Sequence, residues 1–281
     1  MRLLGRLPLR WRYWCADAFL YPLLRYVIGY RRKVVRHNLR NAYPDADEAW
    51  LTSTEKNFYH FFADLLVEIP YFRSMSEQEA FERVEVVNWE EVDYMAQQYG
   101  ACILMTSHYG NWEWLTFLGN YSRLPESRFY NVYRRLSNTY FDGLMAKIRS
   151  AHGSVNVEKQ MLLRHMVNAR KEGIPGFYGM IADQSPSRQN IHYWTELLHQ
   201  PTAVLTGSET LARKFHYPVF YADVQRVKRG YYRCELTLLC EHPEQEELNA
   251  ITETYARRLE QTINRAPELW LWTHNRWKHK P

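Results

Sequence analysis

The sequence is poor in several features that would point elsewhere. It has four cysteines in 281 residues, Cys15, Cys102, Cys234 and Cys240, with no CxxC and no metal-ligand spacing. A disulfide framework and a zinc ribbon are therefore excluded, and reduced structural thiols are expected. There is no run of about 18 uncharged apolar residues. Asp17, Pro22 and Arg25 interrupt the most apolar stretch near the start, WCADAFLYPLLRYVIGY at 14–30. No small-residue cleavage site follows a clean apolar core, which argues against a secretory signal peptide. P-loop, GxGxxG, HExxH and GxSxG motifs are all missing, so the corresponding phosphate, dinucleotide, zinc and nucleophile-elbow chemistries have no anchor. Neither an internal repeat nor a low-complexity linker divides the chain.

Aromatic residues, by contrast, are abundant, at 15% with 10 Trp and 21 Tyr. Such side chains suit either a large aromatic core or a surface that meets an apolar–water boundary. The charge is uneven. Residues 1–40 hold ten Lys/Arg against one acid, Asp17, while the whole chain is only +5, so the remainder is acidic on balance. A local basic segment implies a local anionic partner. For residues 14–30 the expected state is a basic, aromatic helix lying in the headgroup plane of an anionic membrane, with an imperfect tilted span as the second option. YRRKVVRHNLRN offers charge for nucleic acid, but no helix-turn-helix, zinc-finger or RNA-motif signature accompanies it. No nucleic-acid partner is expected.

Residues 1–44 thus read as a membrane-association segment and 45–281 as one domain. Apolar residues from Trp50 to Ile69 recur at helical intervals, predicting a helix over 47–69. Asp45 with Glu48 resembles a capping box at its start, and Pro70 is expected to end it. A helix at 89–98 leads to ACILMT, a short apolar run read as a buried strand. Further strands are expected at 128–133, 176–182 and 218–227. The last pairs across Lys228-Arg229-Gly230 with 231–239 as a hairpin. Helices fall between them at 111–118, 137–150, 159–171, 207–215 and 248–265. Strands alternating with helices and closing in a hairpin describe an α/β fold with a mixed β-sheet flanked by helices.

Chemistry in open α/β sheets gathers at the carboxyl ends of strands. His108 lies there, in SHYGNWEW directly after ACILMT, with Glu113 five positions on. If a helix starts at Asn111 as its N-cap, a carboxylate at Glu113 can fix one imidazole nitrogen and leave the other as a base. Gly110 would let a substrate approach the backbone. The same spacing also fits an ordinary turn histidine, and the residues alone leave both readings open. So too for Asp183, which in itself reads as an acid in the turn after a strand. His274, Arg276 and Lys278 read either as contacts to lipid phosphates or as a solvated tail.

The strand running into SHYGNWEW resembles the bacterial lipid A late acyltransferases of lauroyl- or myristoyl-transferase type. These lie within the glycerolipid acyltransferases marked by His-x4-Asp/Glu. Further matches follow in the family's order over nearly the whole chain: YRRKVVRHNLRNAYPD at 30–45, VYRRLSN at 132–138 with RSAHG at 149–153, ADQSP at 182–186, PTAVLTGSETLARK at 201–214 and WLWTHNRWK at 270–278. The resemblance implies an O-acyltransferase with a glycerolipid-acyltransferase-like fold. His108 would be its base and Glu113 its orienting partner. Arg149, Arg134 or Arg135 would brace the site or bind an anionic group, and Asp183 falls in a family motif. It implies an acyl carrier protein or CoA thioester as co-substrate with no other cofactor and no metal. The acceptor would be a lipid A-type glycolipid in lipopolysaccharide synthesis, at the cytoplasmic face of the inner membrane. An ornithine-lipid or other glycolipid acceptor is the alternative, as is an inactive membrane-surface binding protein. Two departures stand out: residues 14–30 are less clean than the membrane helix of some members, and HYWTELLHQPTA at 192–203 replaces a Phe/Gly-rich loop.

Overall fold

The computed structural model describes residues 7–281, so Arg2 and Arg6 of the basic segment lie outside the described residues. The chain opens with α1 (Leu9–Cys15), continued by π-helical turns at Ala16–Leu20 and Leu23–Val27. Among the described residues no helix is long and apolar enough to cross a membrane. This first helical stretch is two-faced in an unexpected way. Its arginines do not all meet solvent: Arg12 and Arg25 are buried against the domain, while Trp11, Trp14, Phe19, Tyr26, Val27 and Ile28 are exposed.

After Gly29 and Arg31, both at positive φ, α2 (Arg32–Ala42) begins, followed by α3 (Glu48–Phe72). The cap of α3 is Asp47, whose side chain accepts from Trp50 N at 2.7 Å, and not Asp45. Pro70 lies inside the helix, which runs on to Phe72. Proline removes one donor near the end of α3, and the residue four back, Leu66, faces solvent. The ending expected at Pro70 therefore shifts by one short turn.

After α4 (Glu77–Arg83) comes β1 (Val84–Val87), and α5 (Trp89–Tyr99) leads to β2 (Ala101–Thr106). Next are β3 (Arg128–Tyr133), α6 (Thr139–Arg149), β4 (Val155–Glu158), α7 (Leu162–Glu172) and β5 (Gly176–Ile181). A small hairpin, β6 (Trp194–Leu197) with β7 (Gln200–Ala203), stands apart from the main sheet. The chain closes with α8 (Gly207–Phe215), β8 (Val219–Lys228), β9 (Tyr231–Cys240) and α9 (Ala250–Arg265).

Among the described residues the main sheet has seven strands in the order β1-β9-β8-β2-β5-β3-β4. Only the β8–β9 hairpin is antiparallel; every other neighbouring pair is parallel. This is the expected α/β fold with a mixed sheet flanked by helices. All six residues of β2 are buried, because strands pair on both its edges and helices cover the faces. It is the sheet's anchor, and the site hangs from its end.

Candidate active site

The register of β2 and β5 places the first two functional side chains. Thr106 of β2 pairs with Ile181 of β5. His108 and Asp183 each lie two residues further, on neighbouring chains that strand pairing holds about 5 Å apart. Their side chains meet: His108 Nδ1 and Asp183 Oδ1 are 2.6 Å apart. The other oxygen of Asp183 accepts from Trp270 Nε1 at 2.9 Å. Asp183 is fully enclosed, and burial pushes its carboxyl up. The charge and hydrogen bond of His108, the charge of Arg276 and the Trp270 donor outweigh burial, holding the group well below the usual carboxylate range. An ionised Asp183 can only accept, so Nδ1 of His108 carries the proton. In the neutral ring Nε2 is then the lone-pair nitrogen, and it faces the Gln184 side-chain amide nitrogen at 3.2 Å.

The closing segment clamps the histidine loop. Tyr109 forms an antiparallel bridge with Trp270. Gly110 N donates to Leu269 O, and Leu271 N to His108 O, both at 3.0 Å. Gly110 has φ +58°, and a Cβ there would come within 2.8 Å of Val224 Cγ1. Its glycine character is thus required by the turn and by packing, the substrate approach expected for it being a separate matter.

Asn111 is not a helix cap. It is buried and donates to Glu68 Oε2 of α3 at 2.9 Å, while a 3-10 helix starts only at Trp114. The regular helix expected over 111–118 is replaced by that tighter form.

Among the described residues Glu113 makes its side-chain hydrogen bonds to Arg149 and none to the imidazole. Arg149, at the end of α6, donates to Glu113 twice, and the Arg149 guanidinium lies over Tyr133 at 5.7 Å. Burial lowers the Arg149 pKa, but the Glu113 carboxylate outweighs it and the net shift is upward. The carboxylate hydrogen-bonded to His108 is Asp183, whereas the family resemblance implies Glu113 as its orienting partner. A five-residue separation cannot settle direction when the intervening chain is a tight turn. Arg134 and Arg135 are exposed at the end of β3, and Arg135 sits 3.8 Å from Asp142.

A small cavity beside His108 is lined by Asn38, Asp183, Gln184, His274 and Arg276 among others. His274 accepts from Ser185 N at 3.2 Å. Burial and the Arg276 charge hold His274 at about 4, so it is neutral near pH 7. The closing WLWTHNRWK is therefore partly interior: Trp272 and Arg276 are buried. Asn38 of α2 donates to the carbonyls of Trp272 and His274, tying the basic N-terminal segment to the same cavity.

Sequence reasoning missed Gln184, Trp270, Asn38 and Glu68. One signal was present for the first: ADQ follows a predicted strand just as SH follows ACILMT. Only the pairing of the two strands as neighbours converts that likeness into a contact.

The arrangement can take a proton at Nε2 from a group entering the cavity and hold the resulting imidazolium against Asp183. No curated protein matches the chain. The family model of bacterial lipid A biosynthesis acyltransferases matches residues 1–279. With a match spanning almost the whole length, around a histidine presented at the end of a buried strand, the chain belongs to the bacterial lipid A biosynthesis acyltransferase family and is an acyltransferase.

Proposed function

We propose that the protein moves a fatty acyl chain from a thioester, carried by acyl carrier protein or coenzyme A, to a hydroxyl of a lipid A precursor. One observation carries the reading. His108 gives Nδ1 to Asp183 and leaves Nε2 toward a cavity, where an amide donor, Gln184, already marks the position of a hydrogen-bonding guest. An acceptor hydroxyl displacing Gln184 would donate to Nε2. His108 would take its proton as the oxygen attacks the thioester carbonyl, then return the proton to the departing thiolate. Asp183 orients and charge-balances the ring. Glu113 and Arg149 brace the loop that bears it, with Gly110 and Asn111 fixing its path. Arg134 and Arg135, on the exposed rim, suit an acidic carrier or an anionic headgroup. This chemistry asks for no cofactor beyond the thioester.

The work would take place on the cytoplasmic face of the inner membrane. Residues 1–44 would be the attachment segment, docked on a catalytic domain of 45–281. Trp11, Trp14, Phe19, Tyr26, Val27 and Ile28 form an exposed apolar array, with the exposed Arg10 lying over Trp11. Arrays of this composition suit a headgroup–acyl boundary. The test is direct: purified protein with acyl-carrier thioester and a lipid A precursor should yield acylated lipid, and His108→Ala should abolish transfer while the fold persists. Full transfer by that variant overturns the assignment of the base.

A further inference from the structure

Arg276 is 5% exposed, yet among the described residues its Nε and Nη1 meet no acceptor. Arg12, the other buried arginine that reaches no carboxylate, lies over Tyr71 away from this cavity and donates to the Leu7 carbonyl. Arg25, Arg149 and Arg226 each donate to a carboxylate: Glu55, Glu113 and Asp64. Arg276 is instead held over the Trp270 ring, Cζ to centroid 5.2 Å, and lines the cavity that His108 and Asp183 share. Burying a guanidinium with unpaired donors is unfavourable, and native structures seldom retain it without a use. Burial accordingly lowers the Arg276 pKa, opposed by the Asp183 charge.

We infer that Arg276 receives the negative oxygen that develops on the thioester carbonyl during acyl transfer; this rests on the reaction proposed above. As the acceptor oxygen bonds to the carbonyl carbon, the C=O π pair moves onto oxygen and the hydroxyl proton goes to His108 Nε2. Collapse of that oxyanion re-forms C=O and breaks the C–S bond. The thiolate leaves with the proton held by His108. Acyl thioester and alcohol thus become ester and thiol, with no other reactant.

The cavity has room for about one water-sized group. A single carbonyl oxygen fits that space, with the acceptor hydroxyl in the place Gln184 now occupies at Nε2. The ring of Trp270, itself fixed by its bond to Asp183, holds the guanidinium in place before the charge appears. Such preorganisation is what makes a donor effective in the transition state. The neighbouring orphan, Asn38 Oδ1, is an acceptor, and so fits a hydroxyl of the acceptor substrate and not the anion.

The experiment compares full-length wild type, Arg276→Met and Arg276→Lys by steady-state transfer from acyl-carrier thioester to lipid A precursor, with melting temperatures for each. Arg276→Met should lower kcat about 10²- to 10³-fold, with donor and acceptor KM within about threefold. Its melting temperature should change little, since two unsatisfied buried donors are removed while their attraction to the Asp183 carboxylate is lost with them. Arg276→Lys should fall between. Unchanged kcat with a raised acceptor KM would mean a ground-state anion contact and overturn the inference. So would a loss of rate that merely follows a loss of stability in both variants. An active wild type with fully active variants defeats this inference alone; an inactive wild type defeats the acyl-transfer reading beneath it.

Discussion

Arg149 grips Glu113 through two parallel hydrogen bonds, Nε to Oε2 at 2.8 Å and Nη2 to Oε1 at 2.6 Å. This fork leaves the imidazole of His108 to Asp183. The two carboxylates nearest the histidine in motif terms therefore have different partners. One ties the loop to the end of α6, and the other sets the tautomer of the ring. Both are nearly buried, so neither can be left without its partner cheaply.

Glu113→Gln and Arg149→Met should each lower unfolding free energy by about 3–5 kcal/mol, the usual cost of stranding one member of a buried pair. Side-chain exposures of 6% and 18% justify treating the pair as interior. The double variant should lose less than the two single losses combined, because no charge is stranded. Urea denaturation of the four proteins measures this. Strict additivity would show that the fork contributes nothing as a pair.

Asp183→Asn should cut kcat about 10²- to 10⁴-fold, the range for loss of acid–base function, because an amide can hold the wrong tautomer. Its fold should survive near neutral pH. The sign of the pH effect follows from the depressed carboxyl. The stabilisation from an ionised Asp183 is complete above the unfolded value of 3.8 and is lost as pH falls through the lower folded value. Acid unfolding of wild type should therefore be steeper below about pH 4 than that of Asp183→Asn. Parallel acid-unfolding curves would contradict the charge balance described for this site.

Much of the fold was legible in the sequence. ACILMT, RFYNVY and GSETLARKF sit within elements whose bounds match the expected ones, since each is a clear apolar or helical run closed by turn residues. The edge strands β1 and β4, four residues each, had too few alternating positions to stand out. In the site, His108 was visible from its place after a buried strand. The partner was not, because Asp183 is 75 residues away and arrives through the parallel register of β2 and β5. Local spacing left Glu113 undecided, and only the resemblance singled it out. Likewise nothing local shows that Glu68, on the helix expected at 47–69, is buried beneath the histidine loop.

Glu68 gathers Tyr13 OH and Tyr232 OH at 2.7 Å and Asn111 Nδ2 at 2.9 Å, joining α1 to the loop that bears His108. Burial raises its carboxyl, and the three donors only partly offset this. A raised folded value means the stability it contributes is full below the unfolded value of 4.5 and is lost as pH rises through the folded one. Glu68→Gln carries no such loss. Its melting temperature relative to wild type should therefore climb as pH rises above 4.5. Differential scanning fluorimetry across that range tests it, and a flat difference would rule out a raised Glu68.

Membrane attachment calls for point changes and not truncation. Removing residues 1–40 would also remove Asn38 from the cavity, Arg25 and Arg36 from the buried Glu55, and Tyr13 from Glu68. Loss of activity in such a form would say nothing about lipid. Trp11, Trp14 and Phe19 are each more than half exposed, and Trp14 and Phe19 stack edge to face on one another. Replacing all three by Ser should leave the melting temperature within about 2 °C, since exposed side chains contribute little to folding. In sedimentation with vesicles containing anionic lipid, the partition constant should fall at least about tenfold, as burying even one such ring in the interface is worth over about 1.4 kcal/mol. Adding salt should weaken wild-type binding, because the exposed Arg10 beside the aromatic array would meet headgroups through screened charge. If the triple variant pellets as well as wild type, the aromatic array is not an attachment surface.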